Sequence, residues 1–237
     1  LSMKWNITNW LNIIGRARVD NAYTDFERKL YASTDGLFAK SQGNYMNQED
    51  KNTSTYLDFL VNVDKKFGEN YHLLVNLGGS FYDEKYKSDT FEGNLVGVPN
   101  FFHPSNIPST ESNYNKSELH TQTQSIYGKA EIGYRNFLYA DVTGRIDWFS
   151  TLVGTSKEYV CYPSAGLSVI LSEILPLPEK IISFWKIRGS YAQVGNPPSA
   201  YLPYATVALE NGNATSANFT PASHLKPEMT KAFEFGM

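Results

Sequence analysis

The side chains with the clearest potential for chemistry are charged residues that alternate with apolar ones along short segments. Lys129 and Glu131 are two positions apart, as are Arg145 and Asp147. The same alternation carries Arg16, Asp141 and Arg188. Residues two positions apart share one face of a β-strand, so each segment has a charged and an apolar face. We expect these charges mainly to pair with one another across neighbouring strands, and direct contact with a substrate is the second interpretation.

Motifs for an enzyme, a metal site or a cofactor are missing from the sequence. Its four histidines are far apart, and Cys161 is its one cysteine. A nucleophile elbow of the form G-x-S-x-G, a P-loop and a G-x-G-x-x-G fingerprint are all absent. The formal net charge is −3 and the basic residues are scattered, which argues against a nucleic-acid partner. We therefore expect no catalytic residue, no metal and no cofactor.

Alternation with a period of two runs through most of the chain and predicts β-strands. In residues 57–64 the odd positions are apolar, whereas Asp58, Asn62 and Asp64 lie on the other face. Residues 71–81 repeat this design after a short turn, and residues 5–19 follow the same rule as one segment. We predict about eight strands of about ten residues or more, the length that a tilted strand needs to cross a membrane.

The predicted connections alternate in length. Short turns are expected at 67–70, 135–137 and 173–183, and long polar loops at 20–54, 84–121, 149–158 and 195–228. Outer-membrane barrels combine short periplasmic turns with long extracellular loops, whereas compact soluble domains seldom have several long loops. Because a charge is costly in hydrocarbon, the charged face should meet a wet interior and the apolar face lipid. The predicted fold class is an all-β, antiparallel transmembrane β-barrel, of which this chain forms a part.

The predicted loops carry aromatic residues that are candidates for contact with a ligand. Aromatic rings stack on the faces of sugars, and the candidates are Phe101, Phe102, Tyr114, Tyr201 and Tyr204. Packing of the loops against themselves explains these rings at least equally well. Within a predicted strand, Gly78-Gly79-Ser80 indicates a place where another backbone or a plug approaches closely.

Five segments resemble one family of transporters, in order along the chain. They are Trp5-Asn-Ile-Thr-Asn-Trp-Leu11, the strand Leu138–Asp147 with its Arg-x-Asp ending, Tyr162-Pro-Ser-Ala-Gly-Leu-Ser168, Trp185-Lys-Ile-Arg-Gly-Ser-Tyr-Ala-Gln-Val-Gly-Asn196 and Leu225-Lys-Pro-Glu-Met-Thr-Lys-Ala-Phe-Glu-Phe-Gly236. These segments are similar to the barrel strands of the SusC/RagA-type TonB-dependent transporters. The sequence departs from the family pattern after Asp147, at Leu167 and at Ala192.

The resemblance implies a 22-stranded barrel in the bacterial outer membrane that imports oligosaccharides or peptides. Residues 1–237 would be part of the barrel domain, with the plug, the TonB box and the final strands lying outside them. The implied partners are a SusD-like surface lipoprotein that caps the extracellular mouth, TonB acting through the N-terminal region, and outer-membrane lipid.

Two other functions are compatible with a β-rich chain. A soluble β-sandwich that binds carbohydrate would bury one face of each strand against a second sheet. A hydrolase embedded in a barrel would need a serine and a histidine that converge, and the sequence contains no motif for such a pair.

Overall fold

The computed structural model describes residues 1–176, 178, 182–202, 204, 207–210, 213–216 and 224–237. Nine strands form one sheet in the order β1-β2-β3-β4-β5-β6-β7-β8-β11, and β9 pairs with β10 in a second sheet. The strands are β1 (Ser2–Asn6), β2 (Leu11–Leu30), β3 (Asn44–Phe67), β4 (Tyr71–Asn94), β5 (Ser112–Tyr134), β6 (Leu138–Phe149), β7 (Tyr159–Ile170), β8 (Lys186–Asn196), β9 (Val207–Glu210), β10 (Asn213–Ser216) and β11 (Glu228–Gly236).

The regular structure outside the strands is short. Three 3-10 helices cover Pro104–Asn106, Ser150–Leu152 and Leu171–Glu173. Across the described ranges, no helix is long and apolar enough to cross a membrane. The predicted all-β antiparallel fold is confirmed, and its main sheet has nine strands where about eight were expected.

The first predicted strand, residues 5–19, is in fact a hairpin. β1 pairs antiparallel with β2, and Trp5 lies opposite Ile13. The turn between them is closed by hydrogen bonds from the amides of Ile7 and Thr8 to the carbonyl of Leu11, at 3.0 and 3.1 Å. Each residue of β1 pairs with a residue of β2 of the same parity, so the odd residues lie on one face in both strands. The apolar alternation therefore looks like that of one continuous strand, and the turn cannot be recognised from it.

Two of the predicted long loops are also largely strand. β2 to β5 are 20 to 24 residues long and include much of 20–54 and 84–121. The sequence prediction was wrong there because these parts have polar residues on both faces and lack an apolar stripe. The short turns predicted at 67–70 and 135–137 are confirmed, although Phe67 is still part of β3. Arg135 and Asn136 in the second turn adopt positive φ values of 47° and 60°. Parts of 173–183 and 195–228 lie outside the described residues.

The contacts divide the chain into two compact units. The first comprises residues 1–18, 56–82 and 121–237, and the second comprises residues 19–55 and 83–120. Strands β2 to β5 contribute residues to both units, so the units interleave along the sequence.

The sheet of the first unit has two faces of opposite character, which we call the polar face and the apolar face. On the polar face, Asp58 and Asp147 are only 7% and 6% exposed. On the apolar face, Ile126, Val142 and Leu167 are 62%, 56% and 54% exposed. A soluble sheet would bury its aliphatic residues and expose its carboxylates, so the usual arrangement is reversed here.

Strand register extends both faces across several strands. One row of the apolar face runs through Ala130, Val142, Ala165, Tyr191 and Phe233. The adjacent row of the polar face runs through Glu131, Asp141, Gly166, Ser190 and Glu234. Because side chains alternate between faces, neighbouring positions along one strand meet very different surroundings.

The second unit has a small hydrophobic cluster of its own. Tyr45, Leu95 and Ile107 are buried there, and Phe91 and Phe102 pack against them. Gly43 adjoins this cluster with a φ of 104°, and a Cβ at this position would lie 2.5 Å from the carbonyl oxygen of Leu30. Only glycine satisfies both conditions without moving the backbone.

A buried asparagine holds the segment after β4 in place. The side-chain amide of Asn106 donates to the carbonyls of Val98 and Phe101, at 2.7 and 3.0 Å. Its side-chain oxygen accepts from the amides of Gly97 and Val98, at 3.0 and 2.9 Å. These four bonds satisfy backbone groups that have no strand partner, so residues 97–101 have a defined conformation without regular structure.

Candidate functional site

The polar face of the first unit contains an ion pair between two neighbouring strands. Arg16 of β2 donates from Nε to both carboxylate oxygens of Asp58 on β3, at 2.8 and 3.0 Å. The Asp58 side chain is fully buried, whereas half of the Arg16 side chain is exposed. Tyr56 also donates its hydroxyl to Asp58, at 3.4 Å. The carboxylate thus fixes the guanidinium, whose outer edge remains accessible to water or to a polar ligand.

A second arginine is held on the same face by residues of β5 and β6. Arg145 donates from Nε to Asp147 at 2.7 Å and from Nη2 to Ser125 at 2.9 Å. Its guanidinium also lies over the ring of Tyr127, 5.4 Å from the ring centre. Arg145 therefore has fixed partners on several sides, which gives the face a rigid, locally neutral group of charges.

The close approach predicted at Gly78 to Ser80 is explained by Tyr127. A Cβ added to Gly78 would lie 2.8 Å from two ring carbons of Tyr127 and 2.7 Å from the carbonyl oxygen of Phe59. The absent side chain makes room for the tyrosine ring of the adjacent strand. The sequence predicted a backbone or a plug as the approaching group, whereas the large group next to Gly78 is the ring of Tyr127, beside the backbone of Phe59.

Three asparagines connect β2, β3 and β4 on the polar face. Asn76 donates its side-chain amide to Asn62 at 2.6 Å, and Asn62 donates to Asn12 at 2.9 Å. An amide side chain both donates and accepts, so each central member of such a row can serve two neighbours. The row supplies hydrogen bonds without adding net charge.

Of the remaining charged candidates, Asp141 lines a recess formed by β6, β7, β8 and β11. Lys129 pairs with Glu131 along one strand at 2.9 Å, and Glu131 lies opposite Asp141. The carboxylate of Asp141 lies over Gly166, where a Cβ would come within 2.5 Å of it. A cavity of about 190 Å³ is lined by Asp141, Ser164, Ser190, Ala192, Ala232 and Glu234. Two carboxylates and two hydroxyls give this recess the chemistry to accept hydrogen bonds from a polar or cationic group.

Most of the charged candidates form ion pairs, but not all of these pairs join neighbouring strands as predicted. Arg16 pairs between strands, whereas Arg145 and Lys129 pair along their own strands. The Arg188 side chain lies over Gly236 of β11, where a Cβ would be 2.9 Å from its Nε. Their role in contact with a ligand stays a prediction.

Three residues of the polar face were absent from the predicted site. Asp58, Tyr127 and Glu234 are each placed on that face by strand alternation, which the sequence already contained. Each of these residues contacts residues of other strands, and these contacts could be identified only once the order of the strands was known.

The predicted loop aromatics occupy different surroundings in the two units. In the second unit, Phe102 packs against Tyr31 with ring centres 5.0 Å apart, whereas Phe101 is 52% exposed and stacks on His103. Tyr114 of the second unit donates its hydroxyl to Asp89 at 2.7 Å. In the first unit, Tyr201 and Tyr204 are exposed, and Tyr204 donates to the carbonyl of Val153 at 2.7 Å. Phe102 therefore serves packing, whereas Phe101 and Tyr114, which is 63% exposed, are the more exposed candidate rings of the second unit. Tyr114 lies within β5 and not in a loop, so its predicted position was wrong.

A histidine and a serine of the second unit, His103 and Ser105, lie close together and form a helix cap. No group of three or more His, Cys, Asp or Glu side chains in this part of the chain could hold a metal ion. The ring nitrogen Nδ1 of His103 lies 2.7 Å from the Ser105 hydroxyl, but it also accepts from the Ser105 amide at 3.2 Å. This contact caps the 3-10 helix Pro104–Asn106, and His103 and Ser105 are both exposed.

We expect replacement of Arg16 by methionine to destabilise the first unit. The Asp58 carboxylate would remain buried without its cationic partner, which costs roughly 1–3 kcal/mol. Urea unfolding of the refolded protein, followed by the mobility of the folded form on gels, measures this loss. The further change Asp58→Asn should restore most of the stability, because a neutral amide does not need the guanidinium. A single variant as stable as the parent would show that Asp58 is satisfied by other groups.

The second unit contains a pH-sensitive contact between its loops. Lys40 donates to Glu111 at 2.6 Å and Asn94 donates to its other oxygen at 3.1 Å, and these bonds lower the pKa of the Glu111 carboxyl below its usual 4.5. The stabilisation is therefore present above that value and is lost as the pH falls through the lowered pKa. Amide exchange in residues 95–111, corrected for intrinsic rates, should rise only below about pH 4.5. A Glu111→Gln variant should lack this step, and an identical step in the variant would contradict the assignment.

Comparison with known proteins agrees with this architecture. Residues 2–237 match the family described as TonB dependent receptor-like, beta-barrel. The fold is similar to a chain in the structure of the RagAB peptide importer in the open-open state, with a TM-score of 0.80 and 16% identity. It is also similar to a chain of the RagAB peptide transporter, with a TM-score of 0.75 and 15% identity.

These similarities cover the chain almost completely but only part of the other proteins. In both structures the match covers 98% of this chain and 26% of the other, so the chain spans about a quarter of their length. No curated protein sequence matches it significantly. The family match extends over nearly the whole chain, and its strands have the polarity of a barrel wall. The chain therefore belongs to the TonB-dependent receptor-like β-barrel family.

Proposed function

We propose that the chain is part of the wall of an outer-membrane, TonB-dependent nutrient importer. The observation that carries this proposal is the reversed polarity of the first unit, whose aliphatic residues are exposed on one face while carboxylates are buried on the other. The apolar face then meets lipid and the polar face lines an aqueous interior. Family membership supports this arrangement, because the matched family is one of receptors rather than enzymes.

The complete protein is proposed to have the parts that the sequence resemblance implies. The nine strands of the main sheet would belong to a 22-stranded barrel, with the plug and the TonB box outside residues 1–237. A SusD-like lipoprotein would cap the barrel on the cell surface. TonB would supply energy through the N-terminal region.

The proposed cargo is a peptide or an oligosaccharide. Two structures with a similar fold are both of RagAB, which is named a peptide importer in one and a peptide transporter in the other, and this favours a peptide. The polar face supports the same choice, because its arginines and carboxylates can bind both ends and the amide groups of a peptide. An oligosaccharide would depend more on exposed rings such as Phe101.

A soluble β-sandwich fits the structure less well. It would cover the apolar face with a second sheet, yet Ile126, Val142 and Leu167 are more than half exposed. The second sheet among the described residues consists only of the short strands β9 and β10.

Uptake by cells that carry or lack the gene for the complete protein tests the function. We expect fluorescent oligopeptides to accumulate only in cells with an intact gene, and accumulation to stop when TonB is deleted or the proton gradient is collapsed. Accumulation of labelled oligosaccharides but not peptides would keep the importer and change its cargo. Unchanged uptake of both classes, together with recovery of the protein from the soluble fraction, would refute the proposal.

A further inference from the structure

A small cavity opens on the apolar face of the first unit, close to the turn at 135–137. Its volume is about 250 Å³. The residues that line it are Tyr71, Ile132, Tyr134, Leu138 and Ala140. Ala140 lies opposite Ile132 in the paired strands β5 and β6, and Leu138 lies opposite Tyr134. The small alanine leaves space between these larger side chains, and we call this space the Tyr134 slot.

Aromatic rings form one wall of the slot and continue to the turn. The ring centres of Tyr71 and Tyr134 are 5.0 Å apart, and those of Tyr134 and Phe137 are 5.6 Å apart. Tyr71 is 48% exposed on the apolar face. A tyrosine suits the border of hydrocarbon and water, because its ring is apolar and its hydroxyl is polar. The slot therefore lies where the apolar face meets the ends of the strands.

A fixed arginine stands at the turn end of the slot. The guanidinium carbon of Arg135 lies 5.3 Å from the centre of the Tyr134 ring. Its Nε donates to the side-chain oxygen of Asn70 at 3.0 Å, and its backbone amide donates to the Asn70 carbonyl at 2.8 Å. The Tyr134 ring thus belongs both to the slot and to the contact with the guanidinium. One ligand can therefore reach both, with an apolar part in the slot and an anionic group at Arg135.

The partners of Arg135 differ from those of two other arginines of the first unit. Arg16 and Arg145 each donate to an aspartate. Arg135 is held instead by an amide and a ring, and within the described part of the chain it forms no ion pair. Glu69, which precedes Asn70, is exposed and does not neutralise it. A guanidinium presents its donors in a planar fork that matches phosphate oxygens, so Arg135 suits a phosphate.

We propose that the Tyr134 slot and Arg135 bind a phospholipid of the periplasmic leaflet. Part of one acyl chain occupies the slot, and Arg135 donates hydrogen bonds to the phosphate, the group that all phospholipids share. A free phosphate ion would leave the apolar slot unused. The periplasmic leaflet of a bacterial outer membrane consists of phospholipids, and the short turns such as 135–137 lie on that side. This proposal rests on the proposed function, which places the apolar face in lipid.

Photo-crosslinking in the complete receptor tests the proposal. The receptor is purified in mild detergent and incubated with phosphatidylglycerol that carries a diazirine in one acyl chain, close to the glycerol. After illumination, mass spectrometry locates the labelled peptides. We expect labelling concentrated in peptides that contain residue 71 or residues 132–140. Diacylglycerol with the same chains should label them about tenfold less, because it has no phosphate to accept hydrogen bonds from Arg135.

Two pairs of variants separate the charge from the slot. Arg135→Gln should lower labelling by phosphatidylglycerol about tenfold, to the level of diacylglycerol. Lys66→Gln removes a charge from an exposed residue of the polar face beside the turn at 68–70, and labelling should not change. Ala140→Trp fills the slot and should lower labelling by both lipids. Val142→Trp adds the same ring two positions along β6, at a residue that is 56% exposed and does not line the slot, so labelling should stay the same.

The outcomes distinguish the site from the proposed function. Equal labelling by phosphatidylglycerol and diacylglycerol would overturn the recognition of phosphate by Arg135, and displacement of the label by an excess of inorganic phosphate would overturn the lipid as its source. Labelling spread evenly over the apolar face and unaffected by Ala140→Trp would overturn the slot as a binding site while the membrane location stands. Absence of label from every peptide of the apolar face would overturn the membrane location and the slot together.

Discussion

Replacing Val142 by arginine is expected to cost about 2–4 kcal/mol of folding free energy in a bilayer. Val142 is 56% exposed in the middle of β6, and its row on the apolar face continues through Ala130, Ala165 and Tyr191. A guanidinium at this position would have to leave water for hydrocarbon or distort the bilayer around it. Urea titration of the complete receptor folded into liposomes, with folded and unfolded forms separated on gels, measures the change.

The matched control places the same charge on the opposite face. Ser190 lies between Gly166 and Glu234 in strand register and lines the acidic recess that includes Asp141. Arginine at Ser190 can reach water and two carboxylates, so we expect a loss below about 1 kcal/mol. Equal losses for Val142→Arg and Ser190→Arg would contradict the assignment of the apolar face to lipid.

Replacing Gly43 by alanine is expected to destabilise the second unit by about 2–4 kcal/mol. The φ value of 104° is unfavourable for a residue with a Cβ, and that Cβ would lie 2.5 Å from the Leu30 carbonyl oxygen and 3.3 Å from a methyl group of Leu95. Leu95 is 1% exposed in the hydrophobic cluster, and its amide donates to the Gly43 carbonyl at 3.0 Å. The backbone would have to move, and the cluster of Tyr45, Leu95 and Ile107 would move with it.

Hydrogen exchange of residues 95–111 reports this change, because these residues adjoin Gly43 through Leu95. Gly68→Ala is the control, since Gly68 also has a positive φ, of 60°, but a Cβ there would meet nothing within 4 Å. It should cost only about 1–2 kcal/mol, the penalty of the left-handed conformation alone. If exchange in 95–111 is the same in Gly43→Ala and in the parent protein, the close contact with Leu30 is not a constraint.

The sequence predicted the faces of the strands better than their ends. Alternation placed Arg145, Asp147 and Val142 correctly, because the period of two is imposed by the backbone wherever one face is apolar. It did not reveal the turn at residues 7–10, since the paired positions on both sides keep the same parity. It also ended β4 too early, because beyond residue 82 polar side chains occupy both faces and no stripe remains to follow.

The composition of the candidate site was less predictable than its position. The charged residues could be assigned to one face, but their partners depend on strand order and side-chain reach. Asp58 acquires its role from Arg16, which is 42 positions away. Gly78 acquires its role from the ring of Tyr127 on the adjacent strand. Such contacts have no local signature in the sequence, so only the folded sheet identifies them.

The contrast between the two units has a consequence for how relatives of this chain can vary in length. In the first unit, one residue inserted within a strand would move side chains of the apolar face to the polar face and the reverse. Natural insertions there should therefore come in even numbers or as bulges. Strand residues of the second unit, such as 83–90, are mainly polar on both faces. An inserted residue there would exchange one hydrophilic face for another. Evolution should therefore have extended and shortened these parts one residue at a time, while the number of residues between the turns of the first unit kept its parity.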